Sequence, residues 1–457
     1  MSGPGTFTPR AEVIHGDCLV VMRGMEAGSV DAVVTDPPYG IGFMGREWDR
    51  DFIDRRVASK ARKKTDAPAG HGRIESGGFV EYDRSLDGNR AFQAWCEEWA
   101  REALRVMKPG AHLVAFGGTR TFHRLTCALE DAGFEIRDCL VYMFGTGFPK
   151  SLDVGKAIDK ASGVEREVVG RYVPPNGHVW NLHNDQSEPG YSGGYGRRSA
   201  SLDVTSPATD SAKQWHGWGT ALKPGWEPII LARKLLSEKT VAENVQRWGT
   251  GALNIAGCRL SASGLHEVKQ GGNSSLSSWG RGENQHVYKV PAGRWPANVA
   301  LDEEAAMDLD EQSGVTSSTD AGSFQREKTS RGLPGGGFGQ ERAETRERTD
   351  IKKPGHGDTG GASRFFYTAK ADKADRGIGN NHPTVKPTTL MRWLCRLVTP
   401  PGGTILDPFC GSGSTIVAAA TEGFHSIGIE QSAEYVAIAK RRAWVAAQPR
   451  MALEETT

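Results

Sequence analysis

The stretch TILDPFCGSGSTIVAAATEGFHSIGIE, Thr404 to Glu430, decides how the chain folds. An apolar run, Thr404 to Leu406, ends in Asp407. A turn with glycines at 411 and 413 follows, and a helical pattern starts after Gly413 and stops at Gly423. A second apolar run ends in Glu430. Strand, glycine turn, helix and strand make one α/β unit. Gly411 and Gly413 carry no side chain, so backbone can approach a ligand closely there. Such a turn also serves as a plain connection, and a lone G-x-G does not separate the two readings.

Two departures from the dinucleotide fingerprint favour a nucleoside. The third glycine is absent, and Asp407-Pro408-Phe409 precedes the pair. Asp407 would repel a pyrophosphate but accept from a cationic amino group. Glu430, at the tip of the next strand, sits where an acid accepts the two hydroxyls of an adenosine ribose. A ligand carrying both an adenosine and an ammonium fits, and S-adenosylmethionine has both.

Outward from this unit, the N-terminal part up to Lys150 shows the same alternation. EVIHGD and VDAVVTD are short apolar runs that end in acids. AFQAWCEEWAREALRVMKPG spaces Phe92, Trp95, Trp99, Ala103 and Leu104 as one helix face, with Pro109-Gly110 as its stop. AHLVAFGG reads as a buried strand, TFHRLTCALEDAGF as a helix closed by Gly133, and EIRDCLVYMF as a strand. Periodicity then fails from about Ala161 to Gly219, returns in EPIILARK (Glu227 to Lys234), and fails again to about Ser363. TLMRWLCRLV restores an amphipathic helix. Each end is too small for a full sheet, so the two build one domain and the middle is inserted.

The run VDAVVTDPPYG, Val30 to Gly40, ends in a stiff tetrapeptide, Asp36-Pro37-Pro38-Tyr39. The prolines have fixed φ and no N–H, so the turn shows carbonyls without donors. Asp36 adds oxygens that only accept. An exocyclic amine with two N–H groups complements such a site: held by Asp36 and the Pro37 carbonyl, its lone pair is directed at an electrophile. Tyr39 offers a flat face for a planar heterocycle. A proline-capped strand end with a surface tyrosine is the structural alternative.

Composition sets the outer limits. The 457 residues carry a net charge of +1, so no global field announces a nucleic-acid partner. RRVASKARKK, Arg55 to Lys64, reads equally as a solvated loop and as a phosphate-binding segment. Seven scattered cysteines form no C-x-x-C pair, which fits a reducing compartment and argues against a zinc ribbon. No metal is expected. No apolar stretch approaches the length of a membrane span, and the N-terminus lacks a signal peptide's apolar region. A cytoplasmic protein is expected, with no membrane partner.

In combination these segments resemble the permuted, beta-type DNA amino-methyltransferases, in which the catalytic motif precedes the cofactor motif. DPPY at Asp36 and DPFCGSGST at Asp407 stand in that order. GTGFPKSLDVGKAIDK, WGTALKPGWEPIILARK, GTGALNI, RWPANV, RFFYTAKADKADR and NNHPTVKPTTLMRWL resemble further segments of that family. The resemblance implies a Rossmann-like class I methyltransferase fold: α/β, a mostly parallel doubly wound sheet built from both chain ends, plus an inserted target-recognition region. It implies methyl transfer from S-adenosylmethionine, leaving S-adenosylhomocysteine, to a base flipped out of double-stranded DNA. Asp36, Pro37, Pro38 and Tyr39 would hold the base. Asp17 and Cys18 would contact the cofactor adenine, and Glu430 the ribose. Asp407, Phe409, Gly411, Gly413 and Ser414 would line the methionine end, with His382, Thr384 and Lys386 bordering its carboxylate. Aspartate at the head of the tetrapeptide is the usual adenine-N6 form, whereas serine mostly marks cytosine N4.

The expected domains follow. Residues 1–160 form the N-terminal catalytic part, with 41–80 as a DNA-facing loop. Residues 161–219 are an irregular insertion, and 220–235 return a catalytic-domain strand. Residues 236–362 are the target-recognition region, and 363–457 bind the cofactor. Trp215, Trp218, Trp226 and Trp248 read as core, while Arg326 to Lys353 reads as a DNA-ordered segment or a solvated loop. The resemblance suggests a homodimer and is compatible with a separate cognate restriction endonuclease. Cytosine-N4 methylation, methylation of another planar amine, and a silent DNA-binding module are the alternatives.

Overall fold

The computed structural model describes residues 9–40, 86–145, 147, 151–172, 179–180, 198–199, 202–260, 266–269, 287–290, 293–317, 358–369, 373–377 and 379–447. Its main body is a nine-stranded sheet. In chain order the strands are β1 (Ala11–His15), β2 (Val30–Thr35), β3 (Met107–Phe116), β4 (Phe134–Met143), β5 (Trp226–Lys234), β6 (Val299–Asp302), β7 (Tyr367–Ala369), β8 (Thr404–Asp407) and β9 (His425–Glu430). They lie in the order β1-β9-β8-β2-β3-β5-β4-β6-β7. β5 runs antiparallel to both β3 and β4, and every other pairing is parallel. The result is an α/β fold with a mostly parallel sheet that uses both ends of the chain.

Central strand β2 is buried along its whole length, as a parallel strand covered on both faces must be. Its alternation divides the core. Val33 joins Cys18, Met22, Trp99 and Leu125 on one face, whereas Ala32 and Val34 join Leu390, Trp393 and Ala418 on the other. Helices α1 (Cys18–Gly24), α2 (Leu86–Val106) and α3 (Phe122–Ala132) supply the first face. α2 buries Phe92, Cys96, Trp99, Ala100, Ala103 and Val106, the three- and four-residue spacing of one helical stripe. It stops at Val106 rather than at Pro109, because β3 begins at once and takes Pro109 into a strand. The longer helices elsewhere in this body are α4 (Val241–Trp248), α5 (Glu303–Ser313), α6 (Thr388–Val398), α7 (Ser414–Glu422) and α8 (Ala433–Ala447).

Thr146–Gly225 forms a compact unit of its own, wider than the 161–219 insertion expected from sequence. Its helix Val154–Ala161 belongs with the insertion because Asp159 on that helix accepts from Ala208 N and Thr209 N at 3.0 Å and from Thr209 Oγ1 at 2.7 Å. The insertion also has regular structure, with Val168–Tyr172 pairing antiparallel to Leu202–Thr205. The 236–362 region, where periodicity failed in the sequence, supplies β6 and α5 to the main body; β6 is only four residues long, too short for its pattern to register. One expectation needs correction. Trp215 and Trp218 are 39% and 61% exposed and Trp226 is 37% exposed, so these are not core, while Trp248 is half-buried with its Nε1 donating to Ser237 Oγ. The expected DNA-facing loop 41–80, including the basic run, and the arginine-rich 326–353 stretch lie outside the described residues.

Candidate active site at the strand ends

In a doubly wound sheet, ligands gather at the carboxyl ends of the parallel strands. β2 ends at the proline turn and β8 at the glycine turn, and the two strands are hydrogen-bonded neighbours. Their tips are joined directly: Thr35 Oγ1 donates to Asp407 Oδ1 at 2.7 Å across 372 residues of sequence. The two distant motifs therefore share one edge.

At the proline turn, Asp36, Tyr39, Glu227 and Lys386 form a four-residue cluster. Tyr39 Oη lies 2.8 Å from Asp36 Oδ1 and 3.1 Å from Glu227 Oε1. Lys386 Nζ donates to both Glu227 oxygens, at 3.0 and 2.9 Å, and to Tyr39 Oη at 3.0 Å. Asp36 Oδ2 stands 3.4 Å away. Lys386 also lies over the Phe116 ring, 4.6 Å from its centroid. Thr121 Oγ1 fixes the turn by donating to the Tyr39 carbonyl at 2.8 Å. Burial raises the Asp36 carboxyl, and the neighbouring Glu227 adds to that. Burial alone would lower the Lys386 ammonium, but Asp36 and Glu227 carry it above its ordinary value, so it stays charged.

The glycine turn is shaped by close approach. Gly411 has φ +49° and Gly413 φ +85°. A Cβ at 411 would stand 2.8 Å from His382 Nε2, and one at 413 would stand 3.0 Å from Ala439 Cβ. Glu430 accepts from Gly411 N at 3.0 Å and from Ser432 N at 2.8 Å, which orients its carboxylate; each oxygen keeps a lone pair for a further donor. Burial raises its carboxyl. His382 is held by an edge contact with Tyr435 at 4.5 Å and by Thr384 O, 2.9 Å from Nδ1. Ser414 opens α7 directly after Gly413. The half-buried Arg442 guanidinium ties the turn down through Ser412 O at 2.6 Å and reaches Asp375 O at 2.5 Å.

Several expected residues have settings that sequence did not suggest. Lys386, expected at a methionine carboxylate, contacts the proline turn. Asp407, expected to face an ammonium, is only 2% exposed; Thr35, Thr415 and Phe409 N all donate to it, and burial raises its carboxyl to about 6. Phe409 packs against Trp95 and Trp99 at 5.6 and 5.4 Å. Asp17 caps α1 through Leu19 N and Val20 N, while its second oxygen accepts from Gln431 Nε2. Cys18 is buried, and burial pushes its thiol up to about 12. Pro37 is buried and Pro38 half-buried. Among the described residues no His, Cys, Asp and Glu cluster could hold a metal ion, and no helix is long and apolar enough to cross a membrane.

Glu227 is the member of this cluster that sequence reading missed. Its position before Pro228 marked only the start of a strand. In a parallel strand that start lies at the opposite edge; because β5 is reversed, it lies at the same rim as Asp36.

Comparison with known proteins gives a family and several distant relatives. Residues 30–157 and 284–441, more than half of the chain, match the sequence model for N6/N4 methyltransferases, described as DNA methylase. The type II methyltransferase M.HindIII of Haemophilus influenzae is 22% identical over 426 residues, 92% of this chain and 91% of that one. The DNA adenine methyltransferase YhdJ of Escherichia coli is 42% identical over 66 residues, 14% of this chain and 22% of that protein. Among solved structures, the cytosine-N4-specific PvuII DNA methyltransferase aligns over 96% of this chain and 89% of that chain, with 11% identity and a TM-score of 0.40.

Proposed function

Because this chain belongs to the N6/N4 family of DNA methylases, we propose that it methylates the N6 amine of adenine in double-stranded DNA, using S-adenosylmethionine. The observation that carries this reading is the Thr35–Asp407 contact, which sets an acceptor-only proline turn beside a glycine turn stripped of side chains. Such an edge suits an amine on one side and a nucleoside on the other.

S-adenosylmethionine supplies an electrophilic methyl group when bound. The chain's own residues hold and orient. Glu430, with its carboxylate fixed by two backbone N–H groups, is the acceptor for the ribose hydroxyls, and Gly411 and Gly413 leave room for the chain beyond them. Asp36 accepts from the target amine, and Tyr39 stacks on the extruded base. The chemistry depends on orientation more than on a strong base, since in-line geometry accounts for much of such a barrier. The aspartate of the tetrapeptide supports adenine over cytosine. The match to M.HindIII over most of both chains supports a role as the modifying partner in a restriction-modification pair.

Methylation-aware sequencing of DNA from cells expressing the protein tests the proposal. N6-methyladenine within one recurring sequence is the expected result. N4-methylcytosine as the sole product would replace adenine as the target, and unmodified DNA would remove the activity.

A further inference from the structure

One ammonium serves two carboxylates in the cluster at the proline turn, and the distances divide its charge unequally. Lys386 Nζ bridges both oxygens of Glu227 at 3.0 and 2.9 Å, whereas its contact with Asp36 is longer, at 3.4 Å. Tyr39 has a single phenolic hydrogen and stands nearer Asp36, 2.8 Å against 3.1 Å. Donating there, it turns its lone pairs to Lys386. When ionised, the two carboxylates and one ammonium leave the cluster with a net charge of −1.

We propose that Glu227 is a positioning residue for methyl transfer: by holding Lys386, it leaves the Asp36 carboxylate with uncompensated negative charge toward the amine being methylated. This rests on the amino-methyl transfer reading given above. The N–C bond forms from the amine's lone pair while the electron pair of the breaking S–C bond stays on sulfur. Positive charge therefore passes to the amine nitrogen, whose surplus proton then leaves to the Asp36 carboxylate. Fixed charge aimed at the place where opposite charge develops is a large source of catalysis in a site that excludes water. Without Glu227, the Lys386 ammonium would cancel Asp36 at the point where a cation forms.

The groups around the cluster reinforce its sign. Asp407 lies close enough to Asp36 to act on it electrostatically, and Glu227 and Asp302 act in the same way on Tyr142 of β4. Asp302 is held by Gly145 N and Ala305 N. Burial raises Tyr142 and Tyr39 above the ordinary phenol range, so both stay neutral, and Lys386 is the cation that the described contacts place on Asp36.

Glu227→Gln keeps the shape and removes one negative charge. Its single-turnover methylation rate is expected to fall about 100-fold, the scale of losing one preorganised electrostatic partner, with cofactor affinity unchanged. The acid limb of its pH–rate profile should move to lower pH, because Glu227 no longer raises Asp36. The double variant E227Q/K386M restores the −1 sum and should recover about tenfold or more of that loss, and Glu227→Asp, which keeps the charge, should stay within about tenfold of wild type. A merely structural role for Glu227 predicts no such rescue. E227Q at nearly wild-type rate, or folded E227Q/K386M no faster than E227Q, would overturn the proposal. If E227Q alone does not fold, E227D and E227Q/K386M carry the test: both should turn over, and a folded but inactive double variant overturns it. Digestion of the product to nucleosides identifies the base in the same assay. N4-methylcytosine would revise the target while the rate ratios still judge Glu227, and a wild type without turnover removes both.

Discussion

Asp36 and Asp407 are both aspartates followed by proline at the tips of neighbouring strands, yet their surroundings give them different work. The Asp36 side chain remains 23% exposed and is held by Tyr39 and Lys386, whereas Asp407 is sealed beneath the turn as a joint between β2 and β8. Asp36→Ala is expected to reduce methyl transfer at least about 100-fold, as loss of a first contact to the reacting group does, while calorimetry still detects cofactor binding; near-normal turnover would remove the mechanism. Glu430→Ala should instead weaken cofactor binding, read as a raised dissociation constant, and an unchanged constant would place the ribose acceptor elsewhere. Asp407 makes a pH prediction. Burial raises its folded carboxyl from 3.8 to about 6. A raised carboxyl holds its proton more tightly in the folded chain, so its stabilising contribution is complete below the unfolded value and is lost as pH rises through the folded one. Wild type should therefore lose stability relative to Asp407→Asn between about pH 4 and pH 7, by at most about 3 kcal/mol at 1.36 kcal/mol per pKa unit. Denaturant titrations across that range check it, and parallel curves for the two proteins would show that Asp407 does not titrate in the window.

Helix α4 shows what a short element needs for its place. Thr240 and Glu243 cap its start reciprocally, a signature legible in the sequence. Its anchoring to the sheet was not legible, because it runs through fully buried Asn244. That amide donates to Pro109 O at 2.9 Å and Thr250 O at 2.8 Å and accepts from Ser237 N at 3.1 Å. Asn244→Ala removes the partner of Thr250 O and of Ser237 N, while Pro109 O keeps Thr250 Oγ1 at 2.6 Å, and should cost about 1–3 kcal/mol, the scale of leaving a buried polar group unsatisfied; thermal or denaturant unfolding measures it. A loss within error would mean that water replaces the amide. The same lesson holds for Glu227 and for Trp215 and Trp218. A residue's chemistry is written in its letter, but whether a tryptophan is covered or a glutamate reaches a given rim depends on which element lies alongside.

Across the whole molecule, the insertion leaves and re-enters the sheet at one point, since Met143 and Trp226 are cross-strand partners of β4 and β5. Replacing Thr146–Gly225 with a short Asn-Gly turn should therefore preserve cooperative unfolding of the main sheet and cofactor binding, because such turns close antiparallel pairs. Loss of the folded sheet, followed by circular dichroism, would show that the insertion is needed to close that pair. Beyond the assignment of both chain ends to one sheet, which follows from each being too small to build one, what the sequence determined by itself was local: strand–turn–helix units from apolar periodicity, the stiff proline turn and the side-chain-free glycine turn. These follow from steric and hydrophobic rules that act over a few residues. Tertiary structure decided the rest: the reversal of β5 that brings Glu227 to the rim, the placing of Lys386 on Asp36, the burial of Asp407, and the recruitment of β6 from a stretch without legible periodicity. Those outcomes depend on partners up to hundreds of positions away, and charge and burial have no value until the partner is in contact.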